Sequence, residues 1–339
     1  MAPTLSYIAL LVHFSACGKP AAENKLLLWH TFNAEETETL GRILPPGVQS
    51  VVVPFPRAFN TFRESVSSGT GCPDVFRAEQ VWIPALRDLI EPRTFPHSID
   101  GLALLYNRDL VATPPATMEQ LKEVAAAATR EGRYGFFVRG DAYWFLPFLY
   151  GMGADFASVD SPEAVRALAF YRSLLRYSPP PSSADYQEQQ RRFGAGQVAM
   201  IINGPWSIAE LKGAPAFKDH PERLGVAPLW ATPISGHAYV VPHCARDKAA
   251  AFALAERLAS PEAQAEFARR NGLVPADANV AVENPFRAAL KNGRTRPQQP
   301  ATVYIFDDFT PAVQADLRGD AEPREALEGV ARAWRRLLR

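Results

Sequence analysis

The sequence predicts an α/β protein with two lobes and mainly parallel sheets flanked by helices. The chain has 339 residues, about twice the usual length of one domain, and 47% of it is apolar, which is enough for two buried cores. Short apolar runs alternate with amphipathic stretches along its whole length. The sequence contains no internal repeat, and its 30 prolines form no low-complexity tract.

The first half predicts four strands and two helices. Strands are expected over 25–29 (KLLLW), 48–53 (VQSVVV), 72–76 (CPDVF) and 102–106 (LALLY). An amphipathic stretch over 34–43 separates the first two strands, and a strand-helix-strand unit is typical of parallel pairing. Thr117 is a suitable N-cap for a helix over 118–128.

The second half repeats this alternation. Strands are expected over 198–202 (VAMII) and 238–241 (AYVV), with a helix over 248–258. Two further helices are expected to begin after Ser161 and Ser260, each with Pro at its first position. A helical stripe over 327–338 closes the chain.

The charges argue against nucleic acid as a partner, since 36 Lys and Arg balance 36 Asp and Glu without a basic run. Residues 7–14 (YIALLVHF) are apolar but too short to span a membrane, and no other segment is long and apolar enough to do so. Because Ser15 and Ala16 precede Cys17, the segment resembles a bacterial lipobox, although an ordinary signal or a buried strand stays open. The lipobox implies a signal peptide over 1–16, a lipid on Cys17 and a flexible tether over 17–23.

Two other cysteines remain, Cys72 and Cys244. They could pair in an oxidising compartment if their Cα atoms lie within about 7 Å of each other. The sequence favours the alternative in which each cysteine is unpaired and lies in a core.

Residues 193–206, FGAGQVAMIINGPW, resemble the F-x-x-G-x-x-A-M-x-x-N-G-P-W signature of family 1 extracellular solute-binding proteins, the maltose-binding type that serves ABC importers. Further elements match in the same order from Lys25 to the end of the chain: KLLLW, GCPDVF, LLYNRDL, PPATMEQL, ASPEAQAEF and GLVPA. The resemblance implies the two-lobed type II periplasmic-binding-protein fold. The first lobe would hold 24–98 and 235–283 and the second 99–234 and 284–339, with hinges near Asp100, Pro233 and Asn284.

The function that this resemblance implies is capture of a carbohydrate by hinge closure and its delivery to an ABC permease. Such a protein is no enzyme, needs no cofactor or metal, and works outside the cytoplasm. We expect a monomer in the periplasm or at the cell surface that touches the membrane through its lipid alone.

A sugar binder needs flat rings for the apolar faces of the sugar and polar groups for its hydroxyls. By similarity to the family pattern, Trp206 is the stacking ring, and Asp141, Tyr143 and Trp144 in GDAYWF contact the sugar. Asp100 and Phe306 fall at two further family positions. Each ring could instead belong to a core, and Asp141 could cap a helix.

The chain also departs from the pattern. After Asp74 it reads VFRAEQVW, where maltose binders place a Trp and an Asp-Arg pair, and Asn33 and Ala34 replace an Asp-Lys pair. The stretch between Ile90 and Asp100 is short by a strand and a helix. The ligand is therefore not expected to be recognised as maltose is, and local substitutes would be Arg77, Glu79, Gln80 and Trp82.

Three alternatives remain. One is a receptor or sensor lipoprotein on the same fold. Another is a glycan hydrolase with Asp100 and Asp141 as acid and base, although the sequence carries neither G-x-S-x-G nor H-E-x-x-H. The third is a metal binder that uses His237, His243 and Cys244, whose spacing is not a familiar ligand spacing.

Overall fold

The structure is a computed structural model that describes residues 25–180 and 185–337, so the predicted signal peptide and the lipid on Cys17 lie outside the described residues. The strands are β1 Leu26–His30, β2 Val48–Val52, β3 Val75–Glu79, β4 Ile90–Gly101, β5 Ala103–Asn107, β6 Tyr134–Phe136, β7 Val198–Asn203, β8 Leu224–Ala227, β9 Thr232–Pro242, β10 Val274–Pro275 and β11 Gly293–Thr295. The helices are α1 Ala34–Ile43, α2 Phe55–Ser68, α3 Ile83–Leu86, α4 Met118–Ala128, α5 Ala142–Gly151, α6 Pro162–Ser173, α7 Asp185–Gly194, α8 Ile208–Gly213, α9 Lys248–Leu258, α10 Pro261–Asn271, α11 Phe286–Leu290, α12 Ile305–Arg318 and α13 Pro323–Leu337. Among these residues, no helix has the length and apolar character needed to cross a membrane.

The described strands form two sheets. The first has seven strands in the order β10-β4-β9-β3-β1-β2, with β11 beside β9, and the second has four in the order β6-β7-β5-β8. The predicted α/β class is confirmed. The prediction of mainly parallel sheets is wrong, because five of the nine strand pairings are antiparallel. A strand's own residues do not reveal the direction of its partner, and β5 and β9 run against both of their main neighbours.

We call the part built on the seven-stranded sheet the first body. Neighbouring residues along its strands point to opposite faces. Val75 and Tyr239 pack with α1, α9 and α10 on one face, whereas Phe76 and Val240 pack with α2 on the other. The helices therefore cover both faces of this sheet.

The part built on the four-stranded sheet is the second body. One face of this sheet carries Leu104 and Met200 and packs against α4, α5, α6, α12 and α13. The other face carries Leu105 and Ile201 and packs against α8 and α11. Each body thus has its own hydrophobic core.

The chain passes between the bodies where β4 leads into β5 and where β8 leads into β9. At the first crossing the Leu102 amide donates to Thr232 Oγ1 at 2.7 Å, which ties the two crossings together. Gly101 permits this close approach, because a Cβ there would lie 2.5 Å from the Leu290 side chain. Beyond β11, Tyr304 packs on Phe59 of the first body, and α12 then joins the core of the second body.

Local sequence signals were reliable for several helices. Helices α1, α4 and α9 have the predicted bounds, and the side chains of Asn33, Thr117 and Asp247 accept hydrogen bonds from backbone N–H groups of their first turns. Helix α2 and the twelve-residue strand β4 were not predicted. Strand β9 is longer than the predicted 238–241.

The structure joins Cys72 and Cys244 in a disulfide, with Cα atoms 6.3 Å apart. The expectation of two separate core cysteines is wrong, because β9 runs antiparallel to β3 and so brings the segment after β9 beside the start of β3. The buried Asp74 reinforces this junction by accepting from Arg246 Nη2 at 2.6 Å and from the Leu27 amide at 2.7 Å. The disulfide and the Asp74–Arg246 ion pair therefore join the same two segments, the start of β3 and the segment after β9.

Candidate functional site

Trp206 lies where the two bodies meet. It follows β7 in a short turn, is half-buried, and packs against both the first-body core that contains α1 and the main core of the second body. Its carbonyl oxygen accepts from Asn33 Nδ2 of the first body at 3.0 Å. The indole therefore lies at the boundary between the two bodies, and its contact with a ligand stays a prediction.

The turn that carries Trp206 depends on its neighbours. A Cβ at Gly204 would lie 2.0 Å from the indole, so glycine is needed at this position. The Gly204 amide donates to Asn203 Oδ1 at 2.8 Å, and Asn203 in turn donates to Gln189 and Gln190 of α7. The N-G-P-W motif is therefore a positioning device for the indole.

The first body faces this turn with the carboxyl ends of its parallel strands. Strands β2 and β3 both run parallel to β1, and the chain leaves their ends at Asn33, Phe55 and Glu79. In open α/β sheets, ligands bind in the crevice outside such strand ends. The contact between Asn33 and Trp206 joins this edge to the second body.

The predicted cluster GDAYWF forms the start of α5. Asp141 is the N-cap of this helix, and its Oδ1 accepts from the Tyr143 amide at 2.9 Å, which confirms the capping alternative. Tyr143 is half-buried. Trp144 is 8% exposed, donates from Nε1 to the Ile202 carbonyl at 2.8 Å, and carries the Arg139 guanidinium 3.5 Å from its ring centroid.

Arg296 connects the two bodies beside Tyr143. Its guanidinium pairs with Glu79 at the end of β3. It also lies 5.3 Å from the centroid of Tyr143 and 5.7 Å from that of Phe306. Phe306 is half-buried, and its ring centroid lies 6.1 Å from that of Tyr143, so two predicted residues meet here around a cation that no sequence motif predicts.

Asp100 is buried behind this surface. His237 Nδ1 lies 2.7 Å from Asp100 Oδ2. Burial acts to raise the pKa of Asp100, but His237 and the guanidinium of Arg77 bring it below its ordinary value. Asp100 is therefore an ionised partner of His237, with 4% of the residue exposed.

A buried acid lies beside Asn33. Glu36 Oε2 accepts from the Asn33 amide at 3.0 Å. Burial raises the pKa of Glu36 to about 7, against the opposing effect of Arg77. Burial and Arg77 together lower the pKa of His30 to about 4, so His30 is neutral at pH 7.

Tyr186 of α7 completes the second-body surface. Burial raises the pKa of its hydroxyl, and the Arg139 guanidinium, 5.1 Å from the centroid of the Tyr186 ring, opposes this shift. Its ring centroid lies 6.3 Å from that of Trp144. Neither Tyr186 nor Arg296 belongs to a recognised motif, so nothing in the local sequence marked them.

The surfaces that meet between the bodies combine rings with polar groups. The half-buried rings are those of Trp206, Tyr186, Tyr143 and Phe306, and the polar groups are those of Asn33, Glu79, Asp141 and Arg296. Such a set can stack on an apolar ring face and exchange hydrogen bonds with hydroxyls. Within the described ranges, no three His, Cys, Asp or Glu side chains are grouped to hold a metal ion.

The residues of the metal-site alternative have other partners. Cys244 is in the disulfide, and His237 is paired with Asp100. His243 Nδ1 lies 3.1 Å from Glu91 Oε1. The three side chains therefore do not converge.

Comparison with known proteins decides the family. The family model described as bacterial extracellular solute-binding protein matches residues 53–292, well over half of the chain. The chain belongs to this family. Its members are extracytoplasmic solute-binding proteins, and the signature that ends in N-G-P-W identified the same class from the sequence.

Two sequence relatives of this solute-binding protein carry names of sugar binders. It is 25% identical over 250 residues to the maltotriose-binding protein of Pyrococcus abyssi, a match that covers 60% of this chain and 53% of that one. It is 26% identical over 212 residues to a maltooligosaccharide ABC transporter solute-binding lipoprotein of Streptococcus pneumoniae, with 54% and 48% covered. The matches thus span about half the length of these relatives.

Solved structures match nearly the whole of the solute-binding protein. The GacH receptor of Streptomyces glaucescens, solved unliganded and with acarbose, has a TM-score of 0.87 and 27% identity, and the match covers 93% of this chain and 98% of that one. A solute-binding protein of Thermotoga lettingae bound to α-D-tagatose has a TM-score of 0.83 and 22% identity, with 93% and 100% covered. The predicted two-lobed periplasmic-binding-protein fold is confirmed.

Proposed function

We propose that this protein captures a carbohydrate between its two bodies and delivers it to an ABC permease. The observation that carries the proposal is Trp206, a half-buried indole that contacts the cores of both bodies. The named ligands of the relatives and of the matched structures, among them maltotriose and acarbose, support a carbohydrate ligand. The protein performs no chemistry on it.

The proposed site uses the predicted residues in different ways. Trp206, Tyr143 and Phe306 offer ring faces, and Asp141 offers the carboxylate oxygen atoms that its capping bond leaves available. Trp144 and Asp100 border the site from the buried side, since Trp144 bonds Ile202 and Asp100 pairs with His237. The geometry of these side chains supports a site that reads both the ring face and the hydroxyls of a sugar.

The proposed motion is a closure of the two lobes predicted from the sequence, 24–98 with 235–283 and 99–234 with 284–339. The separate sheets and separate cores support two lobes, but the segment from β11 to Tyr304 lies with the first of them, because β11 pairs with β9 and Tyr304 packs on Phe59. The proposed hinges are the crossings near Asp100 and Pro233 and the segment that begins near Asn284. Ligands that contact both lobes favour the closed form.

We further propose that the mature protein is a monomer held at the membrane by a lipid on Cys17. The lipoprotein name of the Streptococcus pneumoniae relative supports this anchor. The tether over 17–23 would leave the folded body free to meet its permease. The place of action is the periplasm or the cell surface.

A thermal-shift screen of the purified protein against glucose, tagatose, maltose, maltotriose and maltotetraose tests the proposal, because a ligand that binds the folded state raises the melting temperature. For the sugar with the largest shift, Trp206→Ala should weaken binding by about 1 kcal/mol or more, about fivefold, in calorimetry. Trp230→Ala is the matched control, since Trp230 is also half-buried but packs in the second body alone. Unchanged affinity in Trp206→Ala would remove the indole from the site.

A further inference from the structure

Residues 293–304 form a segment that is attached to the first body at both ends, and we call it the arm. It begins with β11, which pairs in parallel with the start of β9. It ends at Tyr304, whose ring centroid lies 6.3 Å from that of Phe59 and whose hydroxyl accepts from Arg63 Nη1 at 2.9 Å. The arm is therefore part of the first body.

The two arginines of the arm contact tyrosines of one second-body helix, α5. Arg296 Cζ lies 5.3 Å from the ring centroid of Tyr143, and Arg294 Cζ lies 5.6 Å from that of Tyr150. A cation within about 6 Å of an aromatic centroid is attracted to the ring. These tyrosines are about two helical turns apart and lie on the same side of the helix. The arm thus contacts α5 at two points.

The two arginines differ in their surroundings. Arg296 is 5% exposed, and its guanidinium pairs with Glu79 at the end of β3. Glu79 also accepts from Ser235 Oγ at 3.1 Å. Because a buried guanidinium needs an anionic partner to offset its lost hydration, Glu79 fixes the position of Arg296 relative to the first body. Arg294 is exposed.

Arg296 touches the pair of rings that we propose as a stacking surface for the sugar. The centroids of Tyr143 and Phe306 lie 6.1 Å apart with their planes at 78°, and Arg296 Cζ lies 5.7 Å from the centroid of Phe306. Both rings are half-buried and pack on the core of the second body. Fixing a partly free side chain on binding costs entropy, and the attraction of one cation to both rings offsets that cost.

Building on the proposed function, we infer that Arg296 is a positioning residue that fixes the rings of Tyr143 and Phe306 for ligand stacking only while the two bodies are together. The first body holds Arg296 and the second body holds the rings, so opening withdraws the guanidinium from them. A ligand that enters the open form meets rings that are free to turn. Closure then brings the cation against both rings and holds them on the ligand.

Calorimetry and stopped-flow fluorescence, with the sugar that gives the largest thermal shift, test this inference on three variants. Arg296→Lys keeps a cation for Glu79 but loses the planar guanidinium, so it should keep the melting temperature and weaken binding about threefold. Arg296→Gln should weaken binding about tenfold through faster dissociation, with the association rate unchanged. Arg294→Gln is the matched control, because it removes the same charge from the same arm but contacts the buried Tyr150, so its affinity should be unchanged.

Two combined variants protect the test. Arg296→Gln leaves Glu79 buried without its partner, which destabilises a fold. Glu79→Gln together with Arg296→Gln removes both charges and should show the same tenfold loss as Arg296→Gln, to within about twofold. In a protein that carries Tyr143→Leu and Phe306→Leu, Arg296→Gln should cause no further loss of affinity. A loss that persists without the rings would make Arg296 a direct ligand contact and overturn the inference.

The outcomes separate this inference from the proposed function. If the unsubstituted protein binds a sugar and Trp206→Ala weakens binding while the Arg296 variants do not, the proposed function stands and the role of Arg296 is refuted. An affinity that falls only where the melting temperature falls would make Arg296 a structural residue and overturn the inference, and so would an equal loss in Arg294→Gln. If the unsubstituted protein binds none of the sugars, the proposed function fails and the role of Arg296 fails with it.

Discussion

Removal of the Cys72–Cys244 disulfide should lower the stability of the protein without changing its binding. The two cysteines are 172 positions apart, and a crosslink that closes a loop of this length removes about 5 kcal/mol of chain entropy from the unfolded state at 25 °C. Loss of a native disulfide costs about 2–5 kcal/mol in measured cases. The Asp74–Arg246 pair joins the same segments only in the folded state, so it keeps the fold together but does not replace the crosslink.

Urea unfolding measures this cost. Cys17→Ser removes the third cysteine of the chain, and the test compares this protein with the one that also carries Cys72→Ser and Cys244→Ser. The added pair of substitutions should lower the unfolding free energy by about 2–5 kcal/mol. Arg246→Ala is the companion variant, because it breaks the ionic tie and leaves the covalent one.

Ligand affinity is the internal control for this experiment. The disulfide lies at the start of β3, and the proposed site lies at its other end near Glu79. Affinity for the best sugar of the panel should therefore be equal in the two proteins. Equal unfolding midpoints, together with two titratable thiols in the Cys17→Ser protein without reductant, would refute the assignment of the disulfide.

Two further predictions concern an acid beside the site and the N-terminal cysteine. Because burial raises the pKa of Glu36 to about 7, the folded state binds more protons than the unfolded chain above pH 4.5, and the contribution of Glu36 to stability is lost as the pH rises through 7. Relative to Glu36→Gln, the unsubstituted protein should lose on the order of 3 kcal/mol in urea unfolding between pH 4.5 and 8, and parallel pH profiles would contradict the raised pKa. Cys17→Ser should release the protein from the membrane fraction on centrifugation, and a variant that still pellets with membranes would refute the anchor.

The sequence was sufficient to predict those helices and strands whose structure is determined by neighbouring residues. Helix α4 has an N-cap at Thr117 and apolar residues at helical spacing, and its bounds were predicted without error. Strand β4 was missed because it contains Pro92 and Pro96, and its pairing with β9 shifts register twice. This segment is a strand because it pairs with β9, and a local sequence pattern does not show which distant segment will pair with it.

In the candidate site, too, local sequence predicts some residues, and other residues depend on contacts between distant parts of the chain. Trp206 was found because its motif is continuous in the sequence. The contacts that join the two bodies around the proposed site link Asn33 to Trp206 across 173 positions and Glu79 to Arg296 across 217. Such pairs result from the packing of whole elements, so Arg296 could be recognised only in three dimensions.

The position of Trp206 makes it an intrinsic fluorescence probe of the motion between the two bodies. Of its six tryptophans, Trp29 and Trp82 pack within the first body, and Trp144, Trp230 and Trp334 pack within the second. The indole of Trp206 alone borders the cores of both, so its emission reports directly on whether the two halves are together. Stopped-flow fluorescence can thus time the opening and closing of the unlabelled protein, with Trp206→Phe as the blank.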